Sequence, residues 1–130
     1  MKLVTYYKGN GYRIGAVIND HILDIKEVTV ACCMISRLNL GEDGMRKAQD
    51  AVEKTEKIIE TGNTTGLITL SETKLAAPIP KTKKNIVCLG LNYAEHVKEG
   101  GSDRDLPSHP VFFSKPPTTI TGPYDPVVYN

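Results

Sequence analysis

The sequence lacks both an excess of charge and a long apolar run. Its Lys and Arg total 16 and its Asp and Glu total 15, so the formal net charge is +1, which gives no basic footprint for nucleic acid. No apolar run approaches the ~20 residues needed to span a bilayer. The first residues alternate in polarity and do not form the apolar core of a signal peptide. We therefore expect a cytoplasmic protein that binds neither nucleic acid nor membranes.

Cysteine is too scarce for a disulfide framework. The three cysteines are Cys32, Cys33 and Cys88, an odd number with two adjacent residues, which fits neither paired disulfides nor the spacing of zinc ligands. All three lie in apolar runs. We therefore expect buried, reduced thiols, as in a cytoplasmic protein.

Several ligand-binding motifs are also missing. No G-x-G-x-x-G follows the apolar segment that ends at Gly90, and the sequence has no Walker loop and no G-x-S-x-G elbow. This weakens the interpretation as a nucleotide-binding α/β domain. Asp103 and Asp105 lack the further ligands of a calcium loop and are interpreted as solvated charges. His21, beside a turn, and His109, beside a proline, are interpreted as loop residues.

Alternating apolar residues predict strands near the start of the chain. Residues 2–7 and 12–18 flank the turn signal at 8–11 and predict a β-hairpin, and residues 22–25 predict a third strand. The apolar run 28–35 fits a buried strand or a helix, and we favour a short helix. These elements predict a small unit that mixes strands and helices.

Apolar residues at helical spacing predict one longer amphipathic helix. Asp43 is its candidate N-cap and Gly62 the residue after its last turn. Its apolar positions are Met45, Ala48, Val52, Thr55 and Ile59. Short strands are predicted at 67–70 and at 127–129.

Prolines and lysines mark a boundary between two parts of the chain. The segment 75–80 carries two prolines, and three lysines follow within residues 81–84. The predicted fold class is α+β, with a small N-terminal α/β domain at 1–75, a Pro/Lys-rich linker at 76–84, and an incomplete β-rich domain at 85–130.

The segment 85–99 carries the strongest candidate for chemistry. It predicts a buried strand that passes through a turn at Gly90 into a short helix, with Asn92 as a possible cap. Residues three apart on a helix are neighbours, so His96 and Glu99 can touch while Glu95 points elsewhere. An imidazole held by a carboxylate can act as a general base. On spacing alone, a surface histidine with an incidental carboxylate is an open alternative.

Lys115 is a second candidate. It lies between the predicted strand 110–113 and two prolines, which stiffen the backbone and could aim its ammonium group at a substrate carboxylate. A lysine that ends a strand at the surface is an equally good explanation.

Three sequence blocks together resemble the fumarylacetoacetate hydrolase family. They are Gly90–Glu99, Pro110–Thr118 and Gly122–Val127, and their order and spacing are also those of the family. The resemblance covers residues 85–130. Residues 1–80 resemble, more loosely, the small N-terminal domain of many bacterial and archaeal members. The resemblance implies a catalytic domain with a β-rich roll, usually paired as a homodimer.

The resemblance also implies an activity and roles for individual residues. Family members are Mg²⁺- or Mn²⁺-dependent and act on 2-oxo or 1,3-dicarbonyl acids by acylpyruvate hydrolysis, oxaloacetate decarboxylation, or isomerisation of aromatic-catabolism intermediates. By resemblance, His96 activates water or moves a proton, and Glu99 orients it. Lys115 and Tyr93 correspond to substrate-binding positions, and the segment 100–108 corresponds to a mobile lid.

The sequence departs from the family in its metal ligands. The family binds metal through a Glu-x-Glu pair and a later Asp, all downstream of the Gly-Pro-x-Asp-Pro block, and these 130 residues contain no Glu-x-Glu. We therefore expect the ligands beyond Asn130, no metal bound by this chain alone, and a nearly inactive N-terminal part of a longer enzyme. The alternative is a non-catalytic truncated homologue that serves in dimerisation or small-molecule binding.

Overall fold

The computed structural model describes residues 1–29, 31–99 and 107–129. It contains two compact units, which are described separately. The first comprises Met1–Pro80 together with the residues from Thr121 onward, and the second comprises Lys81–Ile120. The domain limits expected from the sequence, at 75 and 85, stay a prediction.

The first unit begins with the predicted β-hairpin. Strand β1 (Lys2–Lys8) pairs antiparallel with β2 (Gly11–Ile18), in a register that runs from Lys2 opposite Val17 to Lys8 opposite Gly11. Gly9 has a φ of +58°, and glycine adopts this left-handed conformation without steric cost. The hairpin prediction is therefore confirmed.

Two further strands complete an antiparallel sheet in the order β1-β2-β3-β4. Strand β3 (His21–Asp24) pairs with β2, and β4 (Ile68–Thr69) pairs with β3. The strand predicted at 67–70 is confirmed in shortened form. The interpretation of His21 as a loop residue is wrong, because it is the first residue of β3 and is paired with Ile18 of β2 and Thr69 of β4.

The apolar run after β3 forms two short helices and not one. They are α1 (Lys26–Thr29) and α2 (Met34–Leu38), and Cys33 between them is extended, with φ −156° and ψ 171°. This break brings Cys32 to the surface and leaves Cys33 half-buried, as Cys88 also is. The prediction of buried thiols is therefore wrong for Cys32 and only partly met by the other two.

The long helix α3 spans Gly41–Glu60. Leu40 occupies its N-cap position, so Asp43 lies within the first turn and the predicted cap is wrong. The predicted end is confirmed, because Thr61 is the C-cap and Gly62, with φ +82°, follows it.

The core of the first unit lies between one face of the sheet and the helices. Ile14, Ala16 and Ile18 alternate along β2, so they point to the same face. They cluster with Ala48 and Val52 of α3 and with Ile25, Ala31 and Met34. Met45, predicted to face this core, is instead 41% exposed.

A polar network lies on the opposite face of the sheet and centres on Asp24. One carboxylate oxygen accepts hydrogen bonds from the Tyr6 hydroxyl at 2.8 Å and from Arg13 Nε at 3.0 Å, and the other accepts from the Lys26 amide at 3.0 Å. Burial alone would raise the pKa of Asp24, but the Lys26 amide, the Tyr6 hydroxyl and Arg13 outweigh it and lower that pKa. The network joins β1, β2 and β3 to the start of α1.

Residues 74–78 run along the free edge of β1. The Tyr7 amide donates to the Lys74 carbonyl at 3.0 Å, and the Ala76 amide donates to the Thr5 carbonyl at 2.9 Å. The Thr5 hydroxyl donates to the Pro78 carbonyl at 2.6 Å. The start of the predicted linker is therefore fixed to the sheet by its backbone.

The described residues of the second unit form two strands, a short helix and a 3₁₀ turn. Strand β5 (Ile86–Gly90) is followed by α4 (Ala94–Glu99), and β6 (Val111–Lys115) pairs antiparallel with β5 before the 3₁₀ turn Pro117–Thr119. The strand predicted at 127–129, in the part of the chain that belongs to the first unit, is wrong, because those residues are irregular. In the part of the chain that the structure describes, no helix is long and apolar enough to cross a membrane.

Candidate functional site

The predicted strand-turn-helix forms the backbone of the candidate site. Strand β5 ends at Gly90, and Leu91 then adopts a φ of +49°, which is unusual for a bulky residue. The Val97 amide donates to the Tyr93 carbonyl at 3.1 Å. This is the first helical hydrogen bond, so Tyr93 holds the N-cap position that the sequence suggested for Asn92. Val97 is 1% exposed, and its burial fixes which face of α4 is turned outward.

His96 and Glu99 lie on the outward face of α4 and touch. His96 Nδ1 lies 3.1 Å from a carboxylate oxygen of Glu99. The two side chains are 63% and 74% exposed, so solvent reaches both of them. An ionised Glu99 fixes a proton on Nδ1 and leaves Nε2 of a neutral imidazole free to accept one. This arrangement can therefore perform general base chemistry.

A cleft of ≈ 340 Å³ lies within the second unit, between the segment that leads into α4 and the start of β6. Its size is at the lower end of small-molecule sites. The residues that line it are Leu89, Gly90, Leu91, Asn92 and Pro107–Val111. None of the four residues predicted for the site lines this cleft.

Two residues that sequence reasoning did not assign to the site do line the cleft. Asn92 offers an amide, and His109 offers an imidazole whose Nδ1 lies 2.9 Å from the Ser108 hydroxyl oxygen. Asn92 directly precedes Tyr93 in the predicted block, which was a usable signal. No signal in the sequence pointed to His109, because its place at the cleft depends on the pairing of β6 with β5.

The structure does not bring the two predicted substrate-binding residues together. Tyr93 is 72% exposed beside α4. Lys115 is paired with Ile86 at one end of the β5–β6 ribbon. Gly90 is paired with Val111 at the other end, and α4 follows Gly90 along the chain. The ladder between these two pairs spans roughly 13 Å at about 3.4 Å per residue. Lys115 therefore lies at the end of the β5–β6 ribbon that is remote from the start of α4.

Two predictions on the following loop cannot be compared with the structure. Asp103 and Asp105, and the segment 100–106 of the predicted lid, lie outside the described residues. In the parts that are described, no three side chains of His, Cys, Asp or Glu are placed so that they could hold a metal ion together. The expectation that the metal ligands lie outside these 130 residues stays a prediction.

The Gly-Pro-x-Asp block forms a tight turn in the first unit. The Gly122 amide donates to the Asp125 carboxylate at 3.0 Å, and the Asp125 amide donates to the Gly122 carbonyl at 3.3 Å. Lys74 Nζ lies 3.1 Å from the same carboxylate. Lys74 and the Gly122 amide hold the pKa of Asp125 below its usual range.

Comparison with known proteins finds a family model that matches the last part of the chain. A family model described as "Fumarylacetoacetate (FAA) hydrolase C-terminal" matches residues 85–130. Residues 85–130 are thus similar to the fumarylacetoacetate hydrolase family. The match includes α4 with its His–Glu pair and all of β6, so it confirms the resemblance seen in the three sequence blocks.

Curated relatives extend the similarity over nearly the whole chain. The chain is 36% identical to oxaloacetate tautomerase YisK of Bacillus subtilis over 94% of its own length and 43% of the relative's. It is 29% identical to the mitochondrial oxaloacetate tautomerase fahd2 of Xenopus laevis over 98% of its own length and 38% of the relative's. The chain thus spans less than half the length of these relatives.

Two solved structures are similar to the chain in fold. Maleylpyruvate hydrolase from Sphingobium sp. SYK-6, in complex with manganese(II) and pyruvate, matches with a TM-score of 0.58 and 27% identity, over 99% of this chain and 42% of that one. Fumarylacetoacetate hydrolase from Exiguobacterium antarcticum matches with a TM-score of 0.52 and 23% identity, over 98% and 39%. The second likeness concerns the fold alone.

Proposed function

We propose that this chain supplies the proton-transfer residues of a divalent-metal-dependent enzyme that acts on 2-oxo or 1,3-dicarbonyl acids. The observation that carries the proposal is the 3.1 Å contact between His96 Nδ1 and Glu99, within residues that match the family. The tautomerase and hydrolase names of the relatives support the same class of substrate. The cytoplasm is the proposed location.

His96 performs the proton transfer in this proposal. Its Nε2 removes a proton from the carbon next to the substrate carbonyl, or from an attacking water, and later returns that proton to the product. Glu99 accepts the hydrogen bond from Nδ1, which keeps the ring in the required tautomer and stabilises it when it is protonated. We propose Tyr93 and Lys115 for substrate binding on the resemblance to the family alone, because Lys115 lies at the end of the β5–β6 ribbon that is remote from α4.

The pair by itself accounts for only part of the required acceleration. A positioned general base contributes about 10²–10⁴-fold, or about 3–5 kcal/mol, whereas enzymes typically lower barriers by about 8–23 kcal/mol. A bound Mg²⁺ or Mn²⁺ would stabilise the developing negative charge on the substrate oxygens. We propose that its ligands lie outside these 130 residues and that the chain alone turns over little substrate.

The first experiment measures the chain alone. Calorimetric titration with Mn²⁺ and with Mg²⁺ should show no tight binding, and oxaloacetate tautomerisation and acylpyruvate hydrolysis should stay near the uncatalysed rates. Tight metal binding by the 130 residues would contradict the placement of the ligands elsewhere.

The second experiment tests the pair in the longer protein that contains this sequence. His96→Ala should lower kcat by at least about 10²-fold, and Glu99→Gln should lower it less, because the imidazole remains. Glu95→Gln is the matched control, since Glu95 is an exposed carboxylate on the same helix. Equal rates for His96→Ala and Glu95→Gln would rule out His96 as the base.

A binding role is the second candidate, and one observation favours it. Val87 is 72% exposed and Phe112 is 68% exposed, and both lie with Leu89 on one face of the β5–β6 ribbon. Exposed apolar residues in a cluster mark interaction surfaces, which agrees with the proposed homodimer. Sedimentation of the wild type and of Phe112→Lys tests this role, because a dimer held by this face should dissociate in the variant.

A further inference from the structure

The connection between α1 and α2 holds two adjacent cysteines whose sulfurs lie close together. Cys32 Sγ and Cys33 Sγ are 3.9 Å apart, and the Ser36 hydroxyl oxygen lies 3.2 Å from the first and 3.3 Å from the second. Cys32 is exposed and Cys33 is half-buried. We propose that Cys32 and Cys33 are a peroxide-sensitive dithiol that closes reversibly to a vicinal disulfide.

The two thiols differ in burial, and the pKa of Cys33 is lowered, although the Ser36 hydroxyl oxygen lies 3.2 Å from Cys32 Sγ and 3.3 Å from Cys33 Sγ. Ser36 lies one helical turn beyond Cys33, and its hydroxyl can donate a hydrogen bond to the Cys33 sulfur. This contact is the main cause that lowers the pKa of Cys33, and thiolates are the reactive form of cysteine. Cys33 is therefore the attacking thiol, and the exposed Cys32 is the resolving one. Cys88 lies in β5 of the second unit and takes no part.

The reaction with a hydroperoxide is balanced without any further reagent. The Cys33 thiolate attacks one peroxide oxygen, the O–O bond breaks, and a sulfenic acid forms while an alcohol, or water from hydrogen peroxide, is released. The Cys32 sulfur then attacks the sulfenic sulfur, the S–S bond forms, and the hydroxyl group leaves with the Cys32 proton as water. The two thiols lose two electrons, which reduce the peroxide.

The adjacency of the two residues makes the product easy to reduce. Ordinary disulfides join residues with Cα atoms about 4.4–6.8 Å apart, whereas adjacent Cα atoms are only about 3.8 Å apart. A bond at this site must therefore be strained, and strained disulfides are the labile kind. Closure must also bring the sulfurs from 3.9 Å to about 2.05 Å, which displaces the backbone just before Met34, a residue of the core.

The test treats the whole chain with one equivalent of hydrogen peroxide and then measures intact mass and a peptide map. We expect a loss of two hydrogen atoms, a Cys32–Cys33 disulfide in the map, and full reversal by dithiothreitol. Cys88→Ser is the matched control and should behave like the wild type. A wild-type product that is a sulfinic acid at Cys33, or only a disulfide between two chains, would overturn the proposal.

A second measurement assigns the order of the thiols and does not depend on disulfide closure. Dimedone traps sulfenic acids, and it should label Cys33 in the Cys32→Ser variant while the Cys33→Ser variant stays largely unlabelled. Ser36→Ala should slow the labelling of Cys33. Labelling that occurs only at Cys32 would contradict the assignment of Cys33 as the attacking thiol. If these variants fail to fold, the wild-type peptide map still decides the proposal.

Discussion

The most direct test of the first unit is the substitution of Asp24, because a single carboxylate joins three strands to a helix. Asp24→Asn keeps the size of the side chain but removes its charge and replaces one acceptor oxygen by a donor. In the wild type the two carboxylate oxygens accept hydrogen bonds from Tyr6, Arg13 and the Lys26 amide. One amide oxygen cannot reproduce both sets of contacts.

The expected loss follows from the number and kind of these hydrogen bonds. A hydrogen bond to a charged group contributes about 1.5–3 kcal/mol, and the asparagine retains part of the network. The Asp24 side chain is 19% exposed, so water replaces little of what is lost. We expect the free energy of unfolding to fall by about 2–3 kcal/mol, a large share of the ~5–15 kcal/mol typical of a domain.

The pH dependence supplies a second signature of the same carboxylate. Because the folded-state pKa of Asp24 is lowered, its contribution is present above the unfolded value of about 3.9. The contribution is lost as the pH falls through the folded-state pKa. The difference in unfolding free energy between wild type and Asp24→Asn should therefore be full at neutral pH and should shrink in acid.

Urea unfolding followed by far-UV circular dichroism measures this difference, with hydrogen exchange in β1–β3 to assign it to the first unit. Asp43→Asn is the matched control, because Asp43 pairs with Arg46 at 2.7 Å but is 76% exposed, and such pairs contribute at most about 1 kcal/mol. If Asp24→Asn loses no more stability than Asp43→Asn, or if its loss is the same in acid, the role assigned to Asp24 is refuted.

Three further predictions concern the same unit. Gly15→Ala should cost about 1–3 kcal/mol in urea unfolding, because its new Cβ would collide with Ile22 Cγ2, whereas Gly11→Ala, with nothing within 4 Å, should not. Ile22→Ala, at a site that is 0% exposed, should cost about 2–5 kcal/mol, and a smaller loss would place Ile22 outside the packed interior. In a spectrophotometric titration the Tyr6 phenol should ionise only in strong alkali, because burial and Asp24 raise its pKa; Tyr6→Phe should remove that last step.

The sequence by itself determined the elements whose residues are neighbours along the chain. Gly9 and the alternating residues around it define the hairpin, and the spacing of Ala48 and Val52 with Gly62 defines α3 and its end. The contact between His96 and Glu99 follows from helical geometry alone. Each of these features depends on residues a few positions apart, so local propensity and periodicity are sufficient.

Only the tertiary structure decided which residues meet across long intervals of sequence. It interrupted the apolar run at Cys33, left residues 127–129 irregular, and assembled the Asp24 network from three strands. It also placed His109 at a cleft with Asn92 and placed Lys115 at the far end of the β5–β6 ribbon. These outcomes depend on strand register and on the burial of whole faces of the sheet and helices. No local pattern encodes them, because the free energy of each contact depends on elements that pack together only in the folded chain.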